Sequence, residues 1–166
     1  MPSPAGPLLI AYDGSDNAKH AVSVVGGLLA AAPTLVVTVW ESVWAAAYRH
    51  PMPGDFAITQ DVVEEMDRGA REAAEETAAE GVELARSAGL EDAEPLAHRS
   101  EHGIDQAIVD LAHGREAHAV VVGTRGRSPV RSVLLGSVSY GVVHHCRRPV
   151  LTVPPAGGEP TALPAR

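Results

Sequence analysis

Between residues 120 and 153 the chain reads VVVGTRGRSPVRSVLLGSVSYGVVHHCRRPVLTV, and its glycines Gly123, Gly126 and Gly136, with Ser137 next, are spaced G-x2-G-x9-G-S. Glycine has no Cβ, so a chain leaving a strand through such positions turns sharply and brings backbone N–H groups close to an anion. Phosphate is the natural guest, and a Cβ at Gly126 or Gly136 would collide with it or forbid the turn. From Ser137 onward the apolar residues Val138, Tyr140, Val142, Val143 and Cys146 suggest a helix, whose first amides and positive dipole end converge on the same anion. The hydroxyls of Ser137 and Ser139 donate to phosphate or cap that helix, and for Ser137 we favour the phosphate. Arg125, Arg127 and Arg131 stand among the glycines, either as paired donors to phosphate oxygens or as plain surface charge.

Other chemistries lack an anchor. No G-x4-G-K-[ST] loop and no G-x-G-x-x-G turn occur, which disfavours P-loop enzymes and dinucleotide dehydrogenases, and no G-x-S-x-G elbow is present to seat a hydrolase serine. The eight histidines invite a metal reading. His98 and His102 straddle a strand end and a turn, however, and the consecutive His144, His145 and Cys146 point in different directions, so we expect these residues to hold no metal. We also assign no catalytic residue.

The elements that must position the glycines follow from periodicity. Leu8 to Tyr12 is a compact apolar strand that stops at Asp13, Gly14 and Ser15, a turn that also supplies a helix N-cap. Ala18, Ala21, Val22, Val25, Leu28, Leu29 and Ala32 then mark one buried helical face, ended by Pro33 and weakened by Gly26 and Gly27. Leu35 to Trp40 is a second strand. Residues 42–60 hold Pro51, Pro53 and Gly54 without a sustained period and read as a mobile loop, either a lid or a variable connection. From Asp61 to about Ala88 a long amphipathic helix turns Val63, Met66, Ala70, Ala73, Thr77, Leu84 and Ala88 inward, while its many glutamates interleave with Arg68, Arg71 and Arg86 on a solvated face. Gly89 caps it. Ala93 to Ser100 fits an edge strand that tolerates Pro95. A helix from Gly103 to Gly114 turns Ile104, Ala107, Ile108 and Leu111 inward, Ala119 to Val122 is the most buried strand, and PVLTV is the last.

The glycine spacing, Ser137 and Ser139, the closing PVLTV and the opening LLIAYDGSDNAKHAV resemble the universal stress protein family in its ATP-binding branch, over roughly residues 7 to 154. The resemblance implies an α/β, Rossmann-like fold: a five-stranded parallel sheet in the order 3-2-1-4-5 with helices on both faces. In such a sheet strands 1 and 4 are neighbours whose connections diverge, so Asp13 and Gly123 meet in one crevice. Asp13 then bonds a ribose or helps hold Mg2+ near phosphates, or it only stabilises the turn; we favour binding. The family holds adenine by main-chain groups at the end of strand 2, which places Val39 there. The expected nucleotide contacts are Asp13, Val39, Gly123, Gly126, Arg127, Gly136, Ser137, Val138 and Ser139, the cofactors ATP and Mg2+, and the role that of a stress-response regulator whose occupancy controls conformation or partner choice. A slow ATPase or self-phosphorylating enzyme is the alternative.

Length and charge agree. A chain of 166 residues suits one domain with a core over about 7–154 and a flexible tail over 155–166. Hydrophobic residues make up 45% of it but aromatics only 4%, as in buried parallel sheets. A net charge of −8 argues against nucleic acid or an anionic membrane surface as partner. The single Cys146 forms no internal disulfide and no apolar segment suits export or insertion, so we expect a cytoplasmic protein. The apolar edge strand Pro149 to Val153 exposes unpaired backbone, and with the resemblance it points to a homodimer through that strand, besides an unidentified protein partner.

Overall fold

Runs of Val, Leu and Ile alternate with amphipathic helices, and the structure, a computed structural model, describes residues 6–29, 32–49, 59–124 and 135–157. In chain order it contains β1 (Gly6–Ala11), α1 (Asp16–Leu28), β2 (Thr34–Glu41), α2 (Val43–Arg49), α3 (Gln60–Ser87), β3 (Ala93–Ser100), α4 (Ile104–Gly114), β4 (Ala117–Gly123), α5 (Ser137–His145) and β5 (Val150–Val153). The strands form one parallel sheet in the order β3-β2-β1-β4-β5, the order implied by the resemblance.

Side chains alternate across the pleat, so each central strand feeds two cores. Leu8, Ile10 and Tyr12 of the first strand and its exit face Ala21, Val22 and Val25 of α1 and Val82 and Ala85 of α3. Leu9, Val37, Val120 and Val122 face Ile108 and Ala112 of α4 and Val142 of α5. Right-handed crossovers require this sorting, because β1 to β2 to β3 steps one way along the sheet and β3 to β4 to β5 steps the other. Leu8, Leu9 and Ile10 are all 0% exposed, and burying each contributes about 1.5–3 kcal/mol.

Close approach explains two glycines that look like helix defects. A Cβ on Gly81 would meet the Val36 side chain at 2.7 Å and the Tyr12 ring at 2.8 Å, so α3 lies tightly on the end of β1 because that position is bare. Gly26 is buried against the backbone of Ala88, just past the end of α3. It costs helix propensity but lets α1 and α3 touch.

Three expectations are corrected. Residues 43–49 are helical rather than loop: Ser42, 1% exposed, caps α2 by accepting the Ala45 amide at 3.2 Å, and Asp67 accepts the Val43 amide at 2.8 Å. Residues 50–58 lie outside the described residues. α1 ends at Leu28, before Pro33, and leaves Leu28 66% exposed. The inward face of α3 is Val63, Ala74, Ala78, Gly81, Val82 and Ala85, and Met66 is exposed. α5 forms as expected, with Ser139, Gly141 and Val142 buried and Tyr140 and Val143 exposed. The α3 error has a simple cause. Small residues carry little hydrophobicity, so the apolar count favoured Met66 over the Ala and Gly positions that close packing demands.

Candidate functional site

At the carboxyl edge of the sheet β1 hands its chain to β2 and β4 hands its chain to β5, so the connections of these neighbours diverge. A cavity of about 480 Å³ opens there, within the range of about 300–1,000 Å³ usual for small-molecule sites. Asp13, Val39, Gly123, Gly136, Ser137, Val138 and Ser139 all line it. Gly126 and Arg127, like Arg125 and Arg131, lie outside the described residues.

The end of β2 owes its exposed backbone to the early end of β1. In the parallel ladder Leu8 donates to the carbonyl of Pro33 at 2.8 Å and Tyr12 to that of Val37 at 2.8 Å, so alternate residues of β2 present both N–H and C=O to β1. Continuing the alternation, Val39 presents its amide and carbonyl on the same side, one step beyond the last rung. The hydroxyl of Thr38 donates to the Tyr12 carbonyl at 2.9 Å, and that of Thr77 on α3 donates to the Ala73 carbonyl at 2.8 Å. The hydroxyls of Thr38 and Thr77 are thus already committed. The cavity is also lined by apolar side chains: Ala70 and Ala74 from α3, Ile104 and Ile108 from α4.

The other end is polar and made of backbone. Gly136, with φ −67° and ψ 165°, is the N-cap of α5, so Ser137 is the first helical residue rather than the cap. The opening amides of a helix have no intrahelical acceptor, and here they belong to Ser137, Val138 and Ser139 on the cavity wall. The Gly136 conformation is one any residue adopts, so at this position a side chain would not forbid the turn. The Gly136 amide donates to the Thr124 carbonyl at 2.6 Å. Ser139, 3% exposed, places its hydroxyl 3.1 Å from that same carbonyl and 3.0 Å from the Gly136 carbonyl.

Asp13 satisfies the turn reading and sits at the cavity as well. Its Oδ1 accepts the Ser15 amide at 3.0 Å, while Ser15 caps α1 by accepting from Ala18 at 3.2 Å. Behind it Tyr12 is 2% exposed and lines the cavity. Burial, and next the negative charge of Glu80, push its phenol far above the usual tyrosine range, which keeps it neutral. Glu80 in turn pairs with Lys19 at 2.8 Å, a bond between α3 and α1 that holds the carboxyl below its ordinary value. Tyr12 and Thr38 were absent from the expected site residues because their parts depend on partners far along the chain. At the rim, Trp40 lies 5.8 Å from the Arg99 guanidinium. Among the described residues no three His, Cys, Asp or Glu side chains converge into a cation site, and no helix is long and apolar enough to cross a membrane.

Fold and cavity together define an open α/β protein with a ligand crevice at its topological switch point. The profile of the Universal stress protein family matches residues 5–154. A universal stress protein of Thermus aquaticus, from the 3' region of a QAH/OAS sulfhydrylase, is 37% identical over 148 residues, 88% of this chain and 96% of the relative. Among solved structures, a universal stress protein from Archaeoglobus fulgidus is similar with a TM-score of 0.61 and 25% identity, over 89% of this chain and 98% of that one. Another, a universal stress protein in complex with cAMP, gives 0.62 and 25% over 93% and 100%. The chain belongs to the universal stress protein family.

Proposed function

We propose that the crevice binds ATP with Mg2+ and that its occupancy controls the conformation or partner choice of a stress-response protein. The observation that carries this is the meeting, in one cavity, of two backbone features 97 residues apart or more: the outward amide and carbonyl of Val39 and the start of α5 at Gly136 to Ser139. An adjacent N–H donor and C=O acceptor complement the N1 and N6 edge of adenine, while the apolar walls from α3 and α4 suit its faces. Helix-start amides beside Gly123 suit the phosphates. Gly126 and Arg127, on the sequence reading, add to that end. The similar protein in complex with cAMP supports an adenine nucleotide as the ligand class.

Mg2+ fits the residues present. It is normally held by one or two carboxylates, substrate phosphates and water, and Asp13 is the carboxylate among the described lining residues. We further propose that the chain folds as one domain and forms a homodimer in the cytoplasm. Among the described residues β5 is at the sheet edge and pairs with β4 alone, which leaves its other side for a second copy. Mass spectrometry of small molecules released from gently purified protein tests the ligand, followed by calorimetry with MgATP. Bound adenine nucleotide is expected; a ligand-free protein that gives no heat with MgATP would overturn the reading.

A further inference from the structure

Thr124, which follows β4, and Gly136, at the start of α5, meet through hydrogen bonds. Gly136 N–H donates to the Thr124 carbonyl at 2.6 Å, and the Ser139 hydroxyl reaches that carbonyl at 3.1 Å and the Gly136 carbonyl at 3.0 Å. A hydroxyl has one proton to donate, and here it faces two carbonyls. Thr124 in turn donates its amide to the Val153 carbonyl at 2.9 Å, a carbonyl that Asn17 of α1 also approaches at 3.4 Å. Thr124 therefore joins the start of α5 to the last residue of the edge strand.

We propose that Ser139 is a positioning residue: its hydroxyl fastens both ends of the glycine-bearing stretch to one another and, through Thr124, to the end of β5, and it does not touch the phosphates. Resting on the nucleotide reading of the crevice, this narrows the part Ser139 plays in it. To donate to a phosphate the hydroxyl would have to leave both carbonyls, and Ser139 is only 3% exposed. The Thr124 carbonyl accepts from both Gly136 and Ser139, so removing the hydroxyl leaves a buried acceptor half satisfied and the junction looser. Ser139 still offers its backbone amide to the ligand. Its side chain acts earlier, by holding the start of α5 in place before the ligand arrives.

Amide hydrogen exchange on the nucleotide-free full chain separates this from direct contact. A side chain that only touches the ligand leaves exchange without ligand unchanged, whereas a fastener controls it. For Ser139→Ala we expect the Gly136 and Thr124 amides to exchange about five- to tenfold faster, with Val121 and Val122 unchanged, and Ser139→Thr to restore protection. MgATP affinity of Ser139→Ala should fall by a similar factor, and adenosine affinity should hold. Unchanged exchange at Gly136 and Thr124 overturns the proposal, whether affinity falls, which makes Ser139 a ligand contact, or stays, which gives it no role. Faster exchange in a protein whose parent binds no nucleotide would refute the nucleotide reading and leave the fastening intact.

Discussion

Gly136→Val tests the phosphate end of the crevice most directly, because the structure separates its effect on folding from its effect on the ligand. At φ −67° and ψ 165° the backbone of residue 136 is in the extended region that valine prefers, so the substitution introduces no backbone strain. The residue keeps its amide and hence its bond to the Thr124 carbonyl. Replacing glycine by an aliphatic residue at an N-cap costs at most about 1 kcal/mol of stability, which a domain with this core absorbs. The loss should therefore appear in binding. A branched side chain on the wall of the cavity stands between the phosphates and the opening amides of α5. A hydrogen bond to a charged group contributes about 1.5–3 kcal/mol, so losing even one lowers affinity at least about tenfold, or about 1.4 kcal/mol. Titration calorimetry with MgATP on parent and variant, with circular dichroism to establish folding, gives the comparison. Adenosine, which on the proposed reading is held at Val39, should lose much less. If folded Gly136→Val bound MgATP like the parent, the start of α5 would not be the phosphate site.

Three further outcomes follow from other parts of the chain. Leu151→Lys should yield monomers in sedimentation, because it puts charge on the open edge strand; an unchanged dimer places the interface elsewhere. Val39→Ala should keep MgATP affinity within about twofold if, as proposed, the base is read by backbone; a tenfold loss in calorimetry would mean the side chain carries recognition. Tyr12 is held protonated in the folded state, with its phenol raised above its ordinary 10.0. Its contribution to stability is full below pH 10 and declines as the pH climbs above it, since the unfolded chain ionises there first. Denaturant titrations should show Tyr12→Phe losing less stability than the parent between pH 9 and about 11; parallel losses would show that Tyr12 ionises alike in both states.

The sheet was legible because its strands are written in the residues that buried parallel strands require, and because Asp13 and Gly123 mark where two of them end. The glycine spacing was legible as a motif, although Gly136 itself adopts a conformation open to any residue. Packing at short range was not. Gly26 and Gly81 look like defects in helical runs until Ala88 and Tyr12 are seen against them. The helix over 43–49 was hidden by its proline-rich continuation, although Ser42 before VWAAAYR is the capping signal that would have revealed it. The second acceptor for Ser139, the Thr124 carbonyl, lies fifteen residues back and comes close only because β4 and α5 meet at one end. Sequence names the hydroxyl, but topology decides what it bonds.

Asp13 decides between a regulator and a slow enzyme. Hydrolysis of a phosphoanhydride needs a group that orients the attacking water and positive charge that compensates the transition state, the latter worth about 10³–10⁵ in rate where an arginine supplies it. Asp13 is the carboxylate among the described lining residues, and one of its oxygens already accepts the Ser15 amide. A carboxylate that both braces a turn and holds Mg2+ has little freedom left to direct a water, so phosphate release from MgATP should not exceed the no-protein background. Asp13→Asn is the informative variant, because its carbonyl oxygen can still accept from Ser15 while the charge is gone. It should leave the fold intact and lower affinity for MgATP by about tenfold, with affinity for ATP in chelator little changed. Equal losses in both conditions would remove Asp13 from the metal. Release above background by the parent, abolished in Asp13→Ala with binding retained, would show instead that Asp13 acts on the reacting water and that the crevice is an active site.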